Sequence, residues 1–374
     1  MNAALRRRHS SCPPPPAAFT LVEMMVSTAI ILILMTVLVQ VISGVQRVWV
    51  GTKKGISQFE EVRAGLENMS RRLSEATLDG YWAYQKDSSG KDYYARSSDC
   101  HFLSGPLTDL LGGAESVGHG IFFQAPFGFS ETVTGDLGQA QLGRMDGLLN
   151  CLGYYVDYGS DLGRRPPFLA TESHLIISPE RKRFRLMEFR QPAEKMILFS
   201  NALALNDPAT ARSKAYSWFR GPFQGGQTLR DHSKVIAENV LALIVTPYWL
   251  RTNIGTSSTT SENVEDFYYD SREYQWGGSS TKAVATQHQL PPRVRITLVA
   301  TDEASYQQFS TKWGDDNASA QIVAVLKDRF RQHSVLEEDL NQVGEALDAL
   351  KLSHRVFSVT VAIRGSKWVI EKEL

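Results

Sequence analysis

Residues 19–42 read FTLVEMMVSTAIILILMTVLVQVI, and the reading of this stretch decides what the rest of the chain can be. Met24 to Ile42 carries no charged side chain, and as a helix rising ~1.5 Å per residue it extends about 28 Å, close to the ~30 Å hydrocarbon core of a bilayer. A transmembrane helix over 24–42 is therefore expected. Arg6, Arg7 and Arg8 precede it, so the positive-inside tendency keeps the N-terminus in the cytoplasm and sends everything after Ile42 across. A cleaved secretory signal is the competing reading. It fits less well, because the apolar run exceeds the usual ~7–15-residue signal core and Val41-Ile42-Ser43-Gly44-Val45-Gln46 is a poor small-residue cleavage site. Cys12 follows Arg8-His9-Ser10-Ser11, which gives a lipoprotein signal no apolar segment to use.

Working outward, Pro13 to Pro16 cannot continue a helix whereas Phe19 onward can, which places a boundary near Ala18. One carboxylate, Glu23, stands at the edge of the apolar helix; at the bilayer centre it would cost roughly 2.5–3.5 kcal/mol. If the chain were cut after Ala18, the new amine of Phe19 would lie four residues from Glu23, and a neighbour's amine could reach it as well. Alternatively Glu23 lies only ~6 Å along the helix from Phe19 and snorkels to the headgroups. On Glu23 alone the second reading is the simpler.

The combination adds more. A short basic leader, then Ala18-Phe19-Thr20-Leu21-Val22-Glu23 and a long apolar run, resembles the class III signal of type IV prepilins and pseudopilins. In that family a prepilin peptidase cuts just before the Phe and methylates the new N-terminus, and the Glu neutralises a neighbouring subunit's amine during assembly. The resemblance places cleavage and methylation on Ala18 and Phe19 and assembly on Glu23. The family usually has Gly where this chain has Ala18.

The composition agrees with a folded extracytoplasmic body. Lys plus Arg equals Asp plus Glu at 40 each, so the basic excess of a nucleic-acid-binding surface is missing. Apolar residues at 43% and charged residues at 21% exclude a mostly disordered chain. Beyond the membrane, Ile56, Phe59, Val62, Leu66, Met69 and Leu73 recur at helical spacing, which extends the helix to about Leu78. Gly44, Gly51, Gly55 and Gly65 weaken it, and a kink or melted stretch is expected near 44–55.

After Leu78 the residues turn to Tyr, Ser, Gly and Asp, and the head is expected from Asp79. Period-two segments at 148–158, 183–186, 235–245, 293–299 and 356–363 predict antiparallel strands, and 318–352 predicts two helices broken around His333-Ser334. Thr252 to Asn263 and Gly277 to Thr281 read as exposed loops. The expected class is α+β: leader 1–18, long helix 19–78, β-rich head 79–374. The strand Leu290 to Leu298 and the ending Val356 to Trp368 resemble the large minor pilins of the J or W type. Gly153-Tyr154-Tyr155-Val156, Arg165-Pro166-Pro167-Phe168-Leu169 and Val361-Ala362-Ile363-Arg364-Gly365-Ser366 resemble the pilin-like group called Verru_Chthon cassette protein C.

No HExxH, GxSxG, phosphate-binding loop or Rossmann glycine pattern occurs, so no catalytic residue, cofactor or metal is assigned. Asp302-Glu303, Asp315-Asp316-Asn317 and Glu337-Glu338-Asp339 offer oxygen ligands for calcium, but solvated loops and helix faces explain them better and none has EF-hand spacing. Cys100 and Cys151 are open to two readings, a disulfide across the intervening loop or two buried thiols. Tyr81-Trp82-Ala83-Tyr84, Tyr93-Tyr94 and Phe267 to Trp276 concentrate aromatics that serve an interface or pack on their own domain. The resulting expectation is a non-enzymatic minor pilin or pseudopilin anchored in inner-membrane lipid, with prepilin peptidase and other pilin subunits as partners. The alternative is a single-pass anchored protein whose head binds a ligand and forms no filament.

Overall fold

The computed structural model describes residues 20–86, 90–112, 117–130, 147–166, 169, 179–199, 214–221, 228–254, 259–275 and 281–368. Ala18, Phe19 and the leader lie outside them, as do residues 277–280 of the expected second loop. Two compact units divide the chain, 1–54 and 55–374. Helix α1, Leu21–Ser74, runs from the first into the second. It is helical throughout, so the melted stretch expected near 44–55 is not found. At about 1 kcal/mol per residue, the glycine penalty there is too small to stop a helix of this length.

In the second unit the predicted stripe becomes core. Val62, Leu66, Met69 and Leu73 are buried, with Phe59 packed beside them. Gly65 allows this docking: a Cβ there would stand 2.9 Å from Cγ2 of Ile236. Glycine costs helix propensity at this position and gains close approach to the sheet.

The head is built from antiparallel sheets. Strands β1 (Tyr81–Lys86) and β2 (Asp92–Ser97) form a two-stranded pair. A six-stranded sheet takes the order β10-β3-β4-β5-β6-β7 and a four-stranded sheet the order β12-β11-β8-β9. Their ranges are β3 Leu103–Pro106, β4 His119–Pro126, β5 Leu149–Ser160, β6 Lys182–Gln191, β7 Ser233–Glu238, β8 Val240–Ile254, β9 Thr259–Glu265, β10 Tyr269–Asp270, β11 Arg293–Thr301 and β12 His354–Ala362. Short helices α2 (Leu107–Leu111), α3 (Ser217–Arg220) and α4 (Thr281–Thr286) join them, and α5 (Glu303–Trp313), α6 (Asp315–Leu326) and α7 (Leu336–Ala349) lie between β11 and β12.

The six-stranded sheet is buried on both faces. Ile121, Phe123, Tyr154 and Leu186 meet the core shared with α1, β8 and β11, whereas Phe122, Tyr155, Met187 and Phe189 meet Tyr216, Trp218 and Phe219. Alternation along each strand separates the two sets. Within the Gly153-Tyr154-Tyr155-Val156 stretch, Gly153 leaves room for the Phe122 ring, into which any Cβ would project.

Several expectations change in detail. The single strand predicted over 235–245 is two, because Asn239 adopts a left-handed backbone (φ 58°) and passes the chain from one sheet to the other. Residues 252–254 and 259–263 are strand rather than loop, residues 255–258 lying outside those described: β8 reaches Ile254 and pairs with β9, so this Ser/Thr-rich backbone is satisfied by a ladder rather than by water. Helix α5 was hidden by its polar start. Asp302 caps it, accepting from the N–H groups of Ala304 (2.8 Å) and Ser305 (3.1 Å).

Cys100 and Cys151 are both free and buried, the thiol alternative of the two readings. Burial pushes the Cys100 thiol up to about 12 and raises Cys151 as well. Neither is a reactive thiolate at neutral pH. Both thiols should resist a maleimide in the native protein and react stoichiometrically after unfolding. A native mass 2 Da below the reduced chain (about one lost H2) would show a disulfide instead.

A buried histidine ties the two large sheets together. His119 on β4 accepts at Nδ1 from the Val245 N–H (3.0 Å) and donates from Nε2 to the Phe330 carbonyl (2.8 Å). Burial is the main cause that lowers its pKa to about 4. The unfolded chain takes up this proton near pH 6.5 and the folded head does not, so stability falls as pH drops from 6.5 towards 4. The loss attributable to His119 is about 3 kcal/mol. Chemical denaturation at stepped pH should show that slope, and His119→Gln should make it shallower, leaving the part due to the buried His101 and His288, while lowering stability at neutral pH.

Candidate processing and assembly site

The site begins where the helix does. Thr20 precedes α1, and its Oγ1 accepts from the Glu23 N–H at 3.3 Å, which satisfies one of the four amides a helix start leaves unpaired. Thr20-Leu21-Val22-Glu23 has the spacing of a capping box, a signal in the sequence that a reading centred on Glu23's charge passes over. Glu23 stands in the first turn, where the helix dipole favours a negative charge.

Leu21–Gln46 is long and apolar enough to cross a bilayer, and none of the most apolar window is buried within the protein. Three of its hydroxyls bond to their own helix: Ser27 donates to the Glu23 carbonyl (2.7 Å), Thr28 to Met25 (3.0 Å) and Thr36 to Leu32 (2.5 Å). Such back-bonding lets Ser and Thr enter lipid at small cost. Glu23 is different. It is the one charged side chain of Leu21–Gln46, and among the described residues its exposed carboxylate has no hydrogen-bond or ion-pair partner. Together with the head beyond it, this helix makes the chain a single-pass membrane protein with an extracytoplasmic domain.

The nearest approach to a catalytic arrangement is His101, whose Nε2 lies 2.8 Å from Oδ1 of Asp270, with Tyr216 (2.8 Å) and Tyr268 (3.2 Å) donating to Oδ2 and the Trp218 N–H 3.4 Å from Nδ1. Burial lowers the His101 pKa and keeps the ring neutral. Burial alone would raise Asp270, but His101 and the hydrogen bonds from the Arg272 N–H and Tyr216 hold it below the usual carboxylate range. Both side chains are fully buried, and neighbouring Ser271 spends its Oγ on the Phe102 N–H. The pair fastens β10 to β3 and reaches no solvent.

The acidic clusters have structural partners. Glu303 takes both arms of Arg183 (2.8 and 3.1 Å) and the Asn239 amide, Asp316 pairs with Lys182 at 2.8 Å, and Asp339 accepts from the Phe330 N–H at 2.8 Å. Among the described residues no group of three His, Cys, Asp or Glu converges in a manner that would hold a metal.

Comparison with known proteins meets the chain at the same place. The family model described as prokaryotic N-terminal methylation motif matches residues 16–39, which include Ala18, Phe19, Thr20 and Glu23. No curated protein and no solved structure matches the chain. The chain thus carries an N-terminal methylation motif typical of prepilin-like proteins, followed by a single membrane-spanning helix and a β-rich extracytoplasmic head.

Proposed function

We propose that the protein is a non-enzymatic minor pilin or pseudopilin, trimmed by prepilin peptidase after Ala18 and extracted from the membrane into a short filament or its initiating tip. The observation that carries this reading is the coincidence of the methylation motif over 16–39 with a lone carboxylate, Glu23, that has no partner among the described residues. An unpaired carboxylate at the membrane edge is a cost within one chain, and a neighbour's N-terminal amine would offset it. Cohesion would come from packing of the apolar helices, register from Glu23 and partner choice from the head. A head of this bulk suits a subunit present in few copies. Its resemblance to the J or W type and to the Verru_Chthon cassette group forms part of the proposal.

N-terminal peptide mass spectrometry on membranes from cells with and without prepilin peptidase tests it. A peptidase-dependent species beginning at Phe19, with its N-terminal methyl group, is expected. Glu23→Ala should then leave cleavage and insertion intact while co-purification with other pilin subunits is lost. Retention of Met1 or Asn2 beside an active peptidase control would contradict the reading and leave a membrane-anchored binding protein.

A further inference from the structure

The paired strands β1 and β2 carry aromatics that the fold does not use. Their register sets Trp82 opposite Arg96 and Tyr84 opposite Tyr94, so these four side chains share one face. Ala83 and Ala95 lie on the other, and Ala95 is buried, which identifies that face as the one against the head. On the outer face Trp82 is 51% exposed, Tyr94 58% and Tyr84 79%. Side chains this exposed add little to stability. The Trp82 and Tyr94 rings are nearly parallel (11°, centroids 5.6 Å apart), Tyr84 meets Tyr94 at 5.1 Å, and the Arg96 guanidinium lies 5.7 Å from the Trp82 ring.

This platform opens onto a cavity. Trp82 and Arg96 also line a space of about 530 Å³ with Asp79, His288, Gln289 and Lys367, within the usual size range of a small-ligand site. Two cationic side chains stand against one carboxylate in this set. His288 also lines this space, its Nε2 2.7 Å from the Tyr274 hydroxyl.

Aromatic faces beside a polar, cation-bearing hollow match a ligand that presents flat C–H surfaces, hydroxyls and negative charge. Lysine is depleted at protein interfaces, whereas here Lys367 lines the concave part beside Arg96. We propose that this cleft binds a carboxylate-bearing saccharide chain, its sugar rings stacking on Trp82, Tyr94 and the exposed Tyr84 beside them, and a carboxylate held by Arg96 and Lys367. The site requires neither processing nor filament assembly, so it stands or falls apart from the proposed function.

The test is titration of the full-length protein in detergent with a uronic-acid hexamer and a neutral glucose hexamer, read by tryptophan fluorescence and calorimetry. The expected result is saturable binding with preference for the uronic acid, weakened about tenfold in Trp82→Ala and in Tyr84→Ala. Lys367→Gln should narrow the preference, and thermal unfolding of Tyr84→Ala and Lys367→Gln should match the parent protein. Absence of saturable binding, equal affinity for the two hexamers, or unchanged affinity in well-folded Tyr84→Ala would each overturn the proposal. So would retention of a protein, in place of either saccharide, that the aromatic variants fail to hold.

Discussion

Everything in the head depends on burial of one stripe of α1. Val62, Leu66, Met69 and Leu73 are each almost fully covered, and full burial of such a side chain contributes about 1.5–3 kcal/mol. Four of them give roughly 6–12 kcal/mol gross, the same order as the whole net stability of an ordinary domain. The stripe from Val62 to Leu73 therefore belongs to the head's core, and it lies on the same helix, Leu21–Ser74, as the apolar membrane-spanning length.

The polar groups of the chain divide along the same line. Inside the head, buried or half-buried carboxylates are partnered: Asp270 by His101, Glu188 by Tyr154 and Arg190, Glu303 by Arg183, Asp339 by a backbone N–H. In the membrane-spanning part Ser27 and Thr36 fold back on their own helix. Glu23 differs from them: it is the one charged side chain of that part, it has no partner among the described residues, and it lies within the methylation motif.

Much of this was legible from residue order because it rests on short-range periodicity. The apolar run, the stripe of α1, strands β5, β11 and β12 and the two helices α6 and α7 repeat at 3.6 or 2 residues and need no knowledge of distant partners. What escaped was set by single residues or by long-range contact. Asn239 breaks an apolar run that reads as one strand, Asp302 starts a helix from within an acidic pair, and Thr20 caps α1 by hydrogen bonding rather than by charge. The network of His101, Asp270 and Tyr216 joins residues 54 and 169 positions apart, which no local pattern encodes. The aromatic cluster was visible as composition, but only the β1 and β2 register shows that Trp82, Tyr84 and Tyr94 share one face.

Hydrogen exchange along α1 in the full-length protein, held in detergent or bilayers, tests the central claim most directly. If the stripe is part of the head's core, amides from Val62 to Leu73 will exchange as slowly as those of β4 and β8 and will open with them as denaturant is added. Rapid exchange over Val62 to Leu73 while β4 and β8 remain protected would show that the head folds without its helix, and would contradict the account.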